Sequence, residues 1–294
     1  MKSHATLIIL AGGASSRMKK TDTSNQGNLT QEEIKQANER SKGLISVGKD
    51  KRPFMDYLLN NAQKAGYKYI YIVVGANATL FKEYYGGKKS ENNFHGLWIS
   101  FATQHIPKDR VKPLGTADAV FQAIEQYPEL KMATYSVCNS DNLYSVAALK
   151  ALRDTNSPNA FISYDRDSLE FTKERISRFA LAKLDSEGHL QEIVEKPDLS
   201  LIDEYKDKEG KLRVSMNIFK FDGIMFYEYL KNCPLNEIRN EKELPTALLN
   251  MIRDYPGTAI GIPFSEHVPD LTAKSDIMAV KQYLEKKYEK LDWK

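Results

Sequence analysis

The sequence predicts an α/β fold with a doubly wound, mostly parallel, Rossmann-like sheet and a small antiparallel subdomain. Three observations carry that expectation. The first half alternates strand-like and helix-like stretches. Its first strand is a continuous apolar run of the kind buried on both faces of a parallel sheet, and the second half turns to paired strands joined by a short polar turn.

Ala5 to Leu10 is that first run, and a glycine-rich turn follows it. Phe54 to Ala65 has helical spacing, with Gly66 as its stop, and Tyr67 to Val74 is rich in β-branched and aromatic residues. Together these read as βαβ. Leu97 to Phe101 adds a strand, Thr116 to Gln126 a helix, and Thr134 to Cys138 a strand ending at Asn139-Ser140-Asp141. In such sheets ligands bind beyond the carboxyl ends of the strands, so the loops after Leu10 and Cys138 are expected to face one another. Phe179 to Leu184 and His189 to Val194, separated by Asp185-Ser186-Glu187-Gly188, predict an antiparallel hairpin. A strand over Val214 to Phe221 and helices over Ile224 to Leu230, Glu243 to Arg253 and Asp276 to Lys287 complete the expected elements. With no internal repeat and no linker, residues 1–294 read as a single domain.

Composition narrows the function classes. At 294 residues and 41% hydrophobic, the chain can bury a substantial core. Its 42 basic and 39 acidic residues leave a formal charge of +3, so no broad cationic field points to nucleic acid or a membrane surface. Cys138 and Cys233 stand far apart, unlike a disulfide framework or a zinc cluster, and are expected to be reduced core thiols. The apolar N-terminal run lacks a cleavage site, and no stretch reaches the roughly 18 apolar residues of a membrane helix, so a cytoplasmic protein is expected.

Lys19 to Ser41 stands apart. Its only apolar residues are Leu29, Ile34 and Ala37, so it is expected to lie outside the core as a polar insertion. Thr30-Gln31-Glu32-Glu33 forms a capping box that predicts a short surface helix toward Arg40. The insertion is either a solvated excursion or a flap over the site, since it separates Arg17 from Lys42.

The loop Leu10-Ala11-Gly12-Gly13-Ala14-Ser15-Ser16-Arg17-Met18 follows a buried strand. Its glycines permit close backbone approach, and its amides can cradle anionic oxygens. It matches neither the Walker pattern nor the Rossmann Gly-x-Gly-x-x-Gly fingerprint. It does resemble the signature loop of the sugar-1-phosphate nucleotidyltransferases, Leu-Ala-x-Gly-x-Gly-Thr/Ser-Arg-Leu/Met, with Ala14 or Ser15 where a further glycine is common. Lys42-Gly43-Leu44-Ile45-Ser46-Val47-Gly48 is similar to that family's Lys-Pro/Ala-Leu-Leu-Pro-Val segment. Pro113-Leu114-Gly115-Thr116-Ala117-Asp118-Ala119 resembles its Leu-Gly-Thr-Ala/Gly-x-Ala stretch, with Thr116 placed as a helix N-cap. Asn139-Ser140-Asp141-Asn142 stands where the family has Gly-Asp-Asn. Val194-Glu195-Lys196-Pro197 resembles its Glu-Lys-Pro signature, Ser215 to Phe219 its Asn-x-Gly-x-Tyr strand, and Pro269 to Asp276 its late aspartate segment.

The resemblance spans about Leu7 to Asp276 and implies a magnesium-dependent nucleotidyltransferase that couples a nucleoside triphosphate to a phosphorylated small molecule, releasing pyrophosphate. Leu10, Ala11, Gly12, Gly13, Gln104, Gly115 and Thr116 would then bind the nucleotide, with Gln104 on the base edge. Arg17 and Lys42 would hold the triphosphate and Lys196 the acceptor phosphate. Glu195 and Asn217 would take acceptor hydroxyls, Asp141 and Asp270 would bind Mg²⁺, and Asp276 would cap the last helix. No β-helical acyltransferase domain is expected, and the sequence leaves a homo-oligomer open. Two alternatives stand beside this reading: a cytidylyltransferase acting on phosphocholine or another phosphorylated alcohol, and a catalytically silent nucleotide-sugar-binding subunit. A glycosyltransferase would want Asp-x-Asp where Asn139-Ser140-Asp141 stands.

Overall fold

The computed structural model describes residues 4–20, 29–177, 179–194, 199–288, 290, 291 and 293. In chain order the elements are β1 (Thr6–Leu10), α1 (Ser16–Lys19), α2 (Gln31–Glu39), α3 (Phe54–Lys64), β2 (Tyr69–Val74), α4 (Thr79–Tyr85), β3 (Asn92–Phe94), β4 (Leu97–Thr103), α5 (Thr116–Gln126) and β5 (Thr134–Asn139). There follow α6 (Val146–Asp154), β6 (Asn159–Asp165), α7 (Lys173–Ile176), β7 (Leu181–Leu184), β8 (Leu190–Val194), β9 (Arg213–Asp222), α8 (Gly223–Lys231), α9 (Leu244–Asp254), β10 (Ala259–Phe264) and α10 (Asp276–Lys287).

The main sheet runs β10-β6-β9-β5-β1-β2-β4-β3, with the β7–β8 hairpin attached through β9. β1 pairs in parallel with β2 and β5, and β2 with β4, so the expected doubly wound core is present. Leu7, Ile8 and Ile9 are fully buried, as a central strand covered on both faces requires. α3 turns Phe54, Met55, Leu58 and Leu59 into the core, each contributing about 1.5–3 kcal/mol of burial.

Register decides where the site can form. Leu10 pairs with Val73 on one side and Asn139 on the other, and Val74 pairs with Thr103. The carboxyl ends of β1, β2, β4 and β5 therefore finish side by side, and the loops after β1, β4 and β5 leave from one edge.

Three strands were not anticipated, the three-residue β3 and two longer ones. β6 is buried along its whole length, its polar Asn159 satisfied by accepting the Asp222 N–H at 3.0 Å. β10 contains Gly261 and Pro263, which read locally as breakers. It sits at the sheet edge, where a proline's missing donor is tolerated.

The expectation that Lys19 to Ser41 stays outside the core is corrected over the described part. α2 has its capping box, with the Thr30 N–H donating to Glu33 Oε2 at 2.7 Å and the Glu33 N–H to Thr30 Oγ1 at 3.3 Å. The helix is nevertheless packed. Ala37 is fully buried, Gln36 Oε1 accepts the Ser46 N–H at 2.9 Å, and Glu33 pairs with Lys281 of α10 at 2.6 Å. One small apolar residue on the inner face and two tertiary polar contacts anchor it, which a count of apolar residues underestimates.

Both cysteines are free and buried, and burial pushes the Cys138 thiol well above its usual range, as expected of an unreactive core thiol. Among the described residues no helix is long and apolar enough to cross a membrane.

Candidate active site

A cavity of about 340 Å³ opens at the shared carboxyl edge of the strands. Its floor is the loop from Leu10 to Arg17. The Ala11 N–H continues the sheet by donating to Val73 O at 2.8 Å, after which Gly12 and Gly13 carry the chain under the opening. A Cβ on Gly12 would stand 3.2 Å from the Val74 carbonyl carbon, so the close approach of two loops calls for glycine there. Ser15 turns the chain at φ 54° into α1, which buries Met18 and leaves Arg17 exposed at the cavity.

One wall comes from the β4–α5 connection. Gln104 is held by its N–H on Val74 O at 2.8 Å, and its side chain is buried. Gly115 has φ +118°, and a Cβ there would meet Lys242 O at 2.3 Å. Glycine is required on both counts. Gly115, rather than Thr116, is the N-cap of α5, a correction to the expected cap. Thr116 Oγ1 instead accepts the Leu244 N–H at 3.0 Å, tying α5 to α9.

The opposite wall brings the basic and acidic residues together. The Ser140 N–H donates to Leu10 O at 3.1 Å, placing the loop after β5 against the loop after β1. Gly43 lies so close to Ser140 that an added Cβ would be 3.3 Å from it. That approach sets Lys42 beside Asp141, with Nζ 2.7 Å from Oδ2, both side chains largely buried. Leu10 to Gly13, Arg17, Lys42, Gln104, Gly115, Thr116 and Asp141 all line one cavity, although Leu10 and Asp141 stand 131 positions apart.

Asp270 approaches from the C-terminal side. Asn142 and Asp270 form a backbone bridge, and the Leu271 N–H donates to Asp141 O at 2.8 Å. Burial pushes the Asp270 carboxyl above the usual carboxylate range, and the negative charge of Asp141 adds to that shift, while Arg175 opposes it. Arg175 Nη2 lies 2.7 Å from Asp270 and Nη1 2.7 Å from Asp276. Asp276 does not act as the expected cap: its Oδ2 accepts the Thr272 and Ala273 N–H groups, folding the preceding loop.

Not every expected residue joins the cavity: Asp270 lines a separate small pocket with Arg175 and His267. Asn217 lies on β9 at φ 57° with its side chain exposed, and it is not among the cavity's lining residues. Glu195 and Lys196 fall outside the described residues. Lys112 and Glu241 also line the cavity. Neither has a sequence signal, since Glu241 arrives only because the Lys242 N–H donates to Leu114 O at 2.6 Å and draws a distant loop in. Asp118 and Arg175 likewise carry no sequence signal of a role, the first lying inside a motif at a position the motif leaves open.

Comparison with known proteins agrees with this fold. The family model described as "Nucleotidyl transferase" matches residues 6–256. The chloroplastic/amyloplastic glucose-1-phosphate adenylyltransferase small subunit of Triticum aestivum is 27% identical over 194 residues, 65% of this chain and 37% of that protein. The bifunctional protein GlmU of Staphylococcus epidermidis is 24% identical over 257 residues, 86% of this chain and 46% of that one. The chain thus spans less than half the length of these curated relatives. A UDP-glucose pyrophosphorylase solved in complex with UDP-glucose superposes with a TM-score of 0.68 over 96% of this chain and 98% of that one, at 14% identity, a likeness of fold. The family match runs from β1 to the residues just after α9 and so takes in the floor and both walls of the cavity: this chain belongs to the nucleotidyl transferase family.

Proposed function

We propose that this chain transfers the nucleotidyl group of a nucleoside triphosphate to a sugar 1-phosphate, forming a nucleoside-diphosphate sugar and pyrophosphate. The observation that carries this reading is the convergence of the glycine-rich loop, Arg17, Lys42 and Asp141 on one cavity walled by Gln104 and Gly115. The loop offers backbone amides to phosphate oxygens, and the two basic side chains supply charge to a triphosphate. The sugar 1-phosphate acceptor draws support from a relative named for glucose 1-phosphate and from a neighbour of the same fold holding UDP-glucose.

The acceptor is already a nucleophile, so the reaction needs alignment and charge neutralisation rather than a general base. An acceptor phosphate oxygen attacks the α-phosphorus in line, the bond to the β-phosphate oxygen breaks, and pyrophosphate leaves with that electron pair. Arg17 and Lys42 stabilise the charge that collects on the leaving group. Lys196 is proposed to orient the acceptor phosphate, with Glu195 and Asn217 on acceptor hydroxyls.

The donor set fits Mg²⁺. The Asn142–Asp270 bridge and the Leu271 N–H on Asp141 O bring the two aspartate-bearing loops together, and Mg²⁺ takes one or two protein carboxylates with phosphate oxygens and waters. Asp141 and Asp270 would hold it, and bound there it would neutralise phosphate charge. Lys42 and Arg175 now balance these carboxylates.

Pyrophosphate release, followed for each common triphosphate against a panel of sugar 1-phosphates and phosphocholine, tests the reading. The expected result is one triphosphate paired with one sugar 1-phosphate. Turnover with phosphocholine alone would replace the sugar acceptor, and no release with any pair would defeat the enzyme reading.

A further inference from the structure

A chain of hydrogen bonds runs from the peptide at His105 to the cavity, and the polarity of every link is forced. The His105 N–H can only donate. It gives its hydrogen to Gln122 Oε1 at 2.8 Å, and Gln122 Nε2 donates back to His105 O at 3.1 Å. So oriented, Gln122 Nε2 also donates to Asp118 Oδ2 at 2.8 Å. That oxygen accepts a second bond from Gln104 Nε2 at 2.9 Å, and the same Nε2 donates to the Gly115 carbonyl at 2.9 Å. Both neighbours of the Gln104 nitrogen are acceptors, so its amide cannot turn over without setting oxygen against oxygen. Asp118 and Gln104 are both buried, which makes that reversal costly. The Gln104 Oε1 therefore faces the glycine-rich loop, 3.4 Å from where a Cβ on Gly12 would stand.

We propose that Asp118 is a positioning residue that sets nucleobase preference. It locks Gln104 as a hydrogen-bond acceptor, so the pocket selects a keto base carrying a ring N–H (uracil, thymine or guanine) over adenine or cytosine. A glutamine with a free amide reads adenine by a two-point pairing, giving and taking one hydrogen bond. Here the nitrogen is spent within the protein and a single acceptor remains. The ring N–H of a keto base matches it, whereas the corresponding ring nitrogen of adenine or cytosine is itself an acceptor, which leaves only their exocyclic amine to reach Gln104 Oε1 in a shifted pose. The same wall is the N-terminus of the 11-residue helix α5, and the partial positive charge there suits keto oxygens flanking the ring N–H. The inference rests on the nucleotidyl-transfer reading, and it assigns a role to a motif position that the family pattern leaves open.

The test is calorimetric binding to the full chain, without acceptor so that turnover is not needed. UTP, dTTP, GTP, ATP and CTP are compared, together with the ring-N-methylated forms of UTP and GTP. The expected result is that a keto-base triphosphate binds at least about tenfold more tightly than both ATP and CTP, and that methylating its ring nitrogen costs a similar factor. Asp118→Ala should narrow the keto-to-amino ratio to about threefold or less, because Gln104 is then held by Gly115 alone. Tightest binding of ATP or CTP, undiminished binding of the methylated analogue, or an unchanged ratio in folded Asp118→Ala would each overturn the proposal. Should that variant fail to fold, the methylated analogues on the unaltered chain still decide. Binding of none of the triphosphates would defeat the functional reading itself, an outcome distinct from the wrong base binding best.

Discussion

Lys42 Nζ lies 2.7 Å from Asp141 Oδ2, joining two loops 99 residues apart. The pair sits where the proposed phosphates and cation would meet, so each partner is expected to have a second role once substrates arrive. Asp141→Asn is expected to lower turnover by about 100-fold or more, since a lost metal carboxylate removes several kcal/mol of charge stabilisation. The pair is largely buried, and Lys42 would lose its counter-charge, so stability should fall as well, by about 2 kcal/mol. Steady-state kinetics and a thermal melt check both. Near-normal turnover would remove Asp141 from the mechanism.

Arg175 clamps Asp270 and Asp276 at once, at 2.7 Å each, and both carboxylates are 13% exposed. Arg175→Met is expected to destabilise the chain by about 3 kcal/mol, because two largely buried carboxylates would lose their shared counter-charge. Urea denaturation checks it, and a loss below about 1 kcal/mol would show that solvent already screens the pair.

Much of this was legible beforehand. The strand from Thr6 to Leu10, the turn after it and the loop after β5 that carries Asp141 could be read because each combines a local signal with a position at a strand end. Arg175 and Glu241 could not, since they reach their places through contacts with residues about a hundred or more positions away. Ala37 shows the converse limit. It belongs to a polar segment, and only its burial on the inner face of α2 reveals that it is core.

α2 is accordingly expected to be structural. Thr30→Ala should cost about 1 kcal/mol by removing the cap, and replacing residues 29–41 with a flexible linker should lower the melting temperature distinctly. Amide exchange of residues 31–39 checks this in the free protein. Exchange as fast as in an unfolded chain would show that the helix is not docked.

Asp207 supplies a pH dependence away from the site. Burial alone would raise its carboxyl, but the Lys211 and Glu209 N–H groups and the Arg213 guanidinium together hold it below the usual range. Arg213 is buried and lies 2.6 Å away. Because the folded value is depressed, its stabilisation is present above the ordinary carboxylate range and fades as pH falls through the folded value. Asp207→Asn should therefore cost about 2 kcal/mol at neutral pH and progressively less in acid. Urea melts of both proteins at pH 7 and near pH 3 check this. A difference that stays constant with pH would contradict it.

Transfer at the α-phosphorus is the central claim, and phosphorus NMR of the reacting mixture tests it most directly. With the triphosphate and sugar 1-phosphate selected by the pyrophosphate screen, the expected products are a sugar-linked diphosphate and free pyrophosphate in equal amounts. Release of orthophosphate with the sugar phosphate left intact would show cleavage at the γ-position and contradict the account.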